Sequence, residues 1–229
     1  MRFQLVVGHT CAEQFGFMKD RCTLDACFIL DTVIDDAIAR GDCIYAAFID
    51  FKKAYDFVPR EALFFKMLHA NMYGPVLKVL YSMYKAVYSV VQVGLDRSDV
   101  ISQLVGVRQG CILSPCLFSF YIADFPSYLA NRTGNERCVG VTLHDTVLHV
   151  LMYADDMVLL ATSPEDLQRM FDALREYCST WRMFVNVEKT KVVIFHKDVS
   201  AARSVNEREQ LRQLHVTLHT TCAFTYTIV

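Results

Sequence analysis

The chain has 229 residues, 53% of them hydrophobic and 21% charged, with a formal net charge of -2. That composition fits one large domain, or a domain plus an appendage, with a sizeable core, and it excludes disorder. It also excludes a protein that grips nucleic acid over its whole surface, since such affinity comes from Lys and Arg on phosphates; any basic surface is local or lies outside this chain.

Taken in chain order, the N-terminus offers Arg2 and a short apolar run, Leu5-Val6-Val7, too little for a signal-peptide core. Residues 23–40 read as a helix capped by Thr23, with Leu24, Cys27, Phe28, Ile34 and Ile38 on one face and Gly41 as its stop. Residues 43–49 form a continuous apolar run closed by Asp50, which suits a buried strand. Pro59 opens a helix to about residue 72, with Leu63, Phe64, Met67 and Leu68 as its stripe. Gly74-Pro75 breaks it, and a second helical stretch follows to about Tyr88.

Residues 90–93 and 100–107 read as short strands about a polar turn at 96–99. Ser114-Pro115 is a helix start, with Ser as N-cap and Pro at the first helical position. This helix buries Leu117, Phe118, Tyr121 and Ile122 and yields near Pro126; a polar loop spans 131–137. Two apolar runs, 147–153 and 157–161, flank Asp155-Asp156 and read as a buried hairpin. Ser163-Pro164 caps a helix whose stripe is Leu167, Met170, Phe171, Leu174, Tyr177, Cys178 and Trp181. Residues 192–195 are a last strand, and periodicity weakens from about Ala201. Helices alternating with short buried strands predict an α+β domain, with helices packed on a sheet.

The nine cysteines include no Cys-x-x-Cys pair. A full apolar core needs no disulfide staples, so they read as reduced, mostly buried residues of an intracellular protein, and zinc is disfavoured. No apolar stretch reaches the length of a membrane span, so no membrane partner is expected.

Three carboxylates sit where packing alone would not put them. Asp50 ends an apolar strand, and Asp155 and Asp156 occupy the tip of an apolar hairpin. A single acid at a strand end is most simply a solvated turn or a helix cap. Two adjacent acids at an apolar tip repel unless protons or cations intervene, and hard cations with oxygen ligands are the natural solution. Two such ions about 3.5–4 Å apart would serve phosphoryl or nucleotidyl transfer.

Around these carboxylates the residues resemble a known family. Phe48-Ile49-Asp50-Phe51-Lys52-Lys53-Ala54-Tyr55-Asp56 is similar to motif A of LINE-type (non-LTR retrotransposon) reverse transcriptases. Gly106-Val107-Arg108-Gln109-Gly110, running on to Ser114-Pro115, resembles motif B, and Tyr153-Ala154-Asp155-Asp156 resembles motif C. Trp181 and Asn186-Val187-Glu188-Lys189-Thr190-Lys191 resemble motif D; Gly16-Phe17-Met18-Lys19-Asp20-Arg21 resembles the segment before motif A. Five matches in the family's order, over roughly residues 13–196, make coincidence a poor explanation.

The resemblance implies a right-hand polymerase palm with partial fingers and no thumb: residues 1–198 as the reverse transcriptase domain and 199–229 as an unassigned tail. It implies RNA-directed DNA synthesis with an RNA template, a DNA primer, dNTPs and two Mg2+ ions, which Mn2+ can replace. Asp50 and Asp155 would bind both metals, with Asp156 supporting and the Phe51 carbonyl as a further oxygen ligand. Tyr55 would be the steric gate against ribonucleotides, or otherwise a core aromatic. Gln109 and Gly110 would face the incoming nucleotide and template base; Arg108 would be a phosphate or structural contact, and Arg21 a contact to template or substrate phosphates or, equally, a surface arginine. Lys189 would protonate the leaving pyrophosphate, with Lys191 as its rival and a solvated charge as the plain reading of both. Lys52 and Lys53 are solvated residues beside the site. The expected shortage of fingers and thumb leaves a second reading, an inactive remnant that at most binds nucleic acid or protein. RNA-dependent RNA polymerases and group II intron-type reverse transcriptases are the nearest rival families.

Overall fold

The computed structural model describes residues 11–133 and 139–196, and the backbone of 226–228. The strand predicted before Asp50 is the axis of the fold. β1 (Ile44–Ile49) pairs antiparallel with β10 (Lys191–Phe195) on one side and β9 (Asp156–Ala161) on the other. β9 continues into β8 (Val150–Tyr153), and β11 (Tyr226–Ile228) adds parallel to β10, giving the order β11-β10-β1-β9-β8. Both faces of β1 are covered, which is why its sequence is a continuous apolar run. Tyr45, Ala47 and Ile49 enter the larger core, and Ile44 and Ala46 the smaller one behind the sheet.

The smaller core lies under α1 (Thr23–Arg40), which ends on Gly41 in the left-handed conformation, as predicted. Its buried side differs from the predicted stripe. Val33 and Ala37 are buried, whereas Leu24 and Phe28 are 76% and 71% exposed. The face laid on this core runs through Ala26, Ile29, Leu30, Val33, Ile34 and Ala37, so of the predicted stripe Ile34 packs while Leu24 and Phe28 point away from it. The N-cap is Cys22 rather than Thr23, with Asp25 returning a bond to its N–H.

The larger core is closed by α2 (Arg60–His69), α3 (Pro75–Lys85), α4 (Leu113–Tyr121), α5 (Phe125–Thr133) and α6 (Pro164–Trp181). The α6 prediction holds in detail. Ser163 Oγ accepts the Asp166 N–H at 3.1 Å, and Leu167, Met170, Phe171, Leu174, Tyr177 and Cys178 are buried. A polar cluster sits inside this core. Lys66 donates to the Tyr121 carbonyl, Asp124 and the Tyr177 hydroxyl at 2.6–2.8 Å, with its ammonium 3.9 Å from the centre of the Trp181 ring.

Other boundaries moved. Pro126 does not end the helix before it; α4 stops at Tyr121, and Pro126 lies in the first turn of α5, where its missing N–H costs nothing. The predicted 131–137 loop begins inside α5, and residues 134–137 lie outside the described residues. The 147–153 run divides at His149. Its first part, β7 (Thr146–Leu148), pairs with the unpredicted β6 (Val141–Leu143).

Residues 88–105 form a narrow exposed arm, with β2 (Tyr88–Ser89) paired to β5 (Ile101–Ser102) and β3 (Gln92–Val93) to β4 (Asp96–Arg97). The turn is Gly94-Leu95, with Gly94 at positive φ, and the predicted 96–99 turn is partly strand. The predicted 100–107 strand is short because Arg60 takes the carbonyls of Gln103, Val105 and Gly106 with its guanidinium.

The seven described cysteines are free thiols. Only Cys178 is buried, and Cys22 and Cys27 are exposed, so the expectation of mostly buried cysteines fails for these seven. No described helix is long and apolar enough to cross a membrane. Apart from 226–228, the 199–229 tail lies outside the described residues.

Candidate active site

Three features converge at one end of the sheet. Ile49 pairs with Met157, so Asp50 emerges from β1 beside the turn that joins β8 to β9. That turn is Ala154-Asp155, closed by the Tyr153–Asp156 pair. Asp155 is half-buried and Asp156 exposed. The Asp155 carboxyl is raised above the usual carboxylate range, first by burial and then by the negative charges of Asp156 and Asp50. Asp50 and Asp155, far apart in sequence, thus share one electrostatic environment.

Asp50 is held from the other side by the 184–190 loop. Its carbonyl accepts the Asn186 N–H at 2.7 Å, and its N–H is donated to the buried Thr190 hydroxyl at 3.3 Å. Lys52 N–H reaches the Phe184 carbonyl at 2.7 Å, and Phe51 bridges Val185 between these bonds. In the alternating antiparallel pattern, the Phe51 carbonyl therefore faces away from this loop, toward the β9 side.

A cavity of about 600 Å³ opens over the hairpin tip. It is lined by Tyr55, Gln109, Gly110, Phe17, Asp155 and Asp156 among others. Tyr55 stacks on Phe118, with ring centres 5.0 Å apart. Its hydroxyl is pushed up to about 12 by burial and by the Asp155 and Asp156 charges, so it stays protonated. Gln109 donates to Asp56 at 2.9 Å, tying the two loops that line the cavity. Gly106 supports the same junction. Its φ is +87°, and a Cβ there would lie 2.5 Å from the Asp56 carbonyl oxygen.

Not every predicted contact points into the cavity. Arg108 donates to the Met83 carbonyl at 3.0 Å beside the Tyr84 ring. Arg21 donates to the Ala12 and Gln14 carbonyls and lies 4.9 Å from the Phe15 ring centre. Ser114 donates to the Arg108 carbonyl instead of capping α4, which begins one residue earlier, at Leu113. Lys189 is exposed at the end of the 184–190 loop, whereas Lys191 donates to the Glu188 carbonyl at 3.0 Å. Lys52 and Lys53 are exposed.

Sequence reasoning missed two structural anchors, Arg60 and Gln14. Gln14 is fully buried against the hairpin tip. The signal lay in its place, two residues before Gly16, within a segment noted for its glycine and arginine.

Among the described residues, no three His, Cys, Asp or Glu side chains form a ready-made metal cage. The donors at hand are carboxylates and a backbone carbonyl. This oxygen-only set fits Mg2+ or Mn2+, which complete their shells with water and substrate phosphates rather than a dedicated protein cage.

Residues 2–218 match the family model described as reverse transcriptase (RNA-dependent DNA polymerase). The chain is 25% identical over 203 residues to the RNA-directed DNA polymerase from mobile element jockey of Drosophila melanogaster, covering 88% of this chain and 22% of that protein. It is 30% identical over 187 residues to the probable RNA-directed DNA polymerase from transposon BS of the same species, covering 78% of this chain and 19% of that one. The chain thus spans about a fifth of the length of these relatives. Telomerase from Candida tropicalis, solved with a fragment of telomeric RNA, superposes with a TM-score of 0.61 at 16% identity, over 80% of this chain and 30% of that one. Telomerase from Candida albicans gives a TM-score of 0.60 at 13% identity, over 82% and 31%. These structural likenesses establish the α+β, palm-like polymerase fold.

Proposed function

Because the chain belongs to the reverse transcriptase (RNA-dependent DNA polymerase) family, in its LINE-type non-LTR branch, we propose that this site joins a dNTP to a DNA primer 3′-hydroxyl on an RNA template. The observation that carries the proposal is the meeting of Asp50 and Asp155 at one end of the sheet, under a cavity lined by Tyr55, Gln109 and Gly110.

Asp50 and Asp155 would hold two divalent ions, with the Phe51 carbonyl as a further oxygen donor and Asp156 at the edge. When bound, such ions lower the pKa of the attacking hydroxyl and neutralise charge on the leaving oxygen. The primer oxygen forms its bond to the α-phosphorus as the bond to pyrophosphate breaks. Lys189, exposed in the loop bonded to Asp50, would give the leaving group its proton. Tyr55 excludes a ribose 2′-hydroxyl with a neutral ring fixed against Phe118. Gln109 and Gly110 border the nucleotide and template base, and Gly110 has positive φ and open space beside it. Arg108 and Arg21 shape the surrounding loops and are not assigned to phosphate.

The test is primer extension on an RNA template with Mg2+ and one dNTP at a time. The matched dNTP alone should be added, and Asp155→Ala should abolish the addition. Synthesis that ignores the template, or survives Asp155→Ala, would defeat the proposal.

A further inference from the structure

Residues 13–16 have no part in the chemistry above, yet they are bonded to the hairpin tip. Met152 N–H reaches the Glu13 carbonyl at 2.9 Å, and Phe15 N–H reaches the Met152 carbonyl at 2.8 Å, so residues 13–15 line the open edge of β8. The Gln14 side chain then crosses the tip. Its Oε1 accepts the Ala154 N–H at 2.8 Å and the Gly16 N–H at 2.8 Å, while its Nε2 donates to the Ala154 carbonyl at 3.1 Å.

Ala154 is the residue most in need of support. Its φ is +58°, a left-handed conformation that costs a non-glycine residue of order 1 kcal/mol. One fully buried amide satisfies both of its backbone groups. Gly16 packs so closely on the same residue that a Cβ there would lie 2.1 Å from the Ala154 nitrogen. Asp155 follows directly, so the direction of its carboxylate depends on the peptide that Gln14 fixes.

We propose that Gln14 is a positioning residue for Asp155, holding Ala154 in its left-handed conformation so that the carboxylate faces Asp50. The inference rests on the metal-site reading above. Groups that orient a metal ligand typically change affinity about 10–100-fold when removed.

The test is Mn2+ binding to the full chain, followed by the electron paramagnetic resonance of the free ion and normalised to the folded fraction from near-ultraviolet circular dichroism. Four variants accompany the wild type: Asp155→Ala, Gln14→Met, Gln14→Asn and Gln14→Met/Ala154→Gly. Gln14→Asn keeps an amide one methylene short of spanning Ala154. Wild type should bind and Asp155→Ala should not. Folded Gln14→Met and Gln14→Asn should bind at least about 10-fold more weakly. Ala154→Gly, which meets the positive φ without steric cost, should restore much of the loss in the Gln14→Met background. Wild-type affinity in a folded Gln14 variant, or loss of the folded state in both single variants, would overturn the positioning role alone. Binding that ignores Asp155→Ala would overturn the metal reading, and the positioning role with it.

Discussion

The carbonyl of Asp50 accepts the Asn186 N–H at 2.7 Å, and the next turn of the same loop brings the Thr190 hydroxyl to the Asp50 N–H. The strand that delivers one carboxylate is thereby fixed to the loop that carries Lys189. The other carboxylate is fixed independently, by Gln14 on the far side of the tip. Two unrelated anchors thus set one pair of charges.

Replacing Thr190 by Val keeps the shape and removes the acceptor. Thr190 is 1% exposed, so the Asp50 N–H would be left buried and unpaired, at about 1–3 kcal/mol. Urea denaturation of Thr190→Val should show that loss, and primer extension should slow more than after Lys191→Ala. A variant as stable as wild type would mean that water replaces the hydroxyl and that the anchor is unimportant.

Tyr55→Ala removes the ring between Phe118 and the cavity. Incorporation of rNTPs relative to dNTPs should rise about 10-fold or more, as expected when a steric contact that discriminates substrates is deleted. Loss of the stack should cost about 1 kcal/mol beyond the area exposed. Unchanged sugar discrimination in single-nucleotide assays would reduce Tyr55 to a core aromatic.

Lys66 carries a pH dependence of stability. Burial lowers its pKa from 10.5 to about 8 despite the neighbouring Asp124. Between about pH 8 and 10.5 the unfolded chain binds the extra proton, so stability rises with pH. The contribution is complete above about 10.5 and is lost as the pH falls through about 8. Lys66→Met should abolish this slope. Subtracting denaturation curves of the two proteins across the window isolates it, and parallel curves would show that Lys66 titrates normally.

Gly106→Ala should damage the junction between the Tyr55 and Gln109 loops. The added Cβ meets the Asp56 carbonyl at 2.5 Å on a residue at φ +87°. A loss of more than about 1 kcal/mol in thermal or urea denaturation is expected. A neutral substitution would show that the loop can move away.

The central strand, the hairpin, α6 and the three carboxylates were legible because each is a local pattern: an apolar run, paired acids between two such runs, a capped stripe. Features that depend on a distant partner were not. The 147–153 run looked continuous because nothing in it announces β6. Leu24 and Phe28 had helical spacing but no surface to cover. Arg108 and Arg21 stayed open between phosphate and structural contacts because sequence gives a charge and not its direction; in the folded chain both donate to backbone carbonyls. Gln14 was silent for the same reason, since its importance lies in Ala154, far away in sequence.

The most direct measurement of the central claim is the single-nucleotide addition rate on an RNA template for wild type, Asp50→Ala, Asp155→Ala and the double variant. Groups that act as one unit lose activity together rather than additively. Each single substitution should cost at least about 10³-fold, as for removal of a principal charge-stabilising group, and the double no more than the worse single. Addition within about 10-fold of wild type by either single variant would contradict the claim that Asp50 and Asp155 form one catalytic pair.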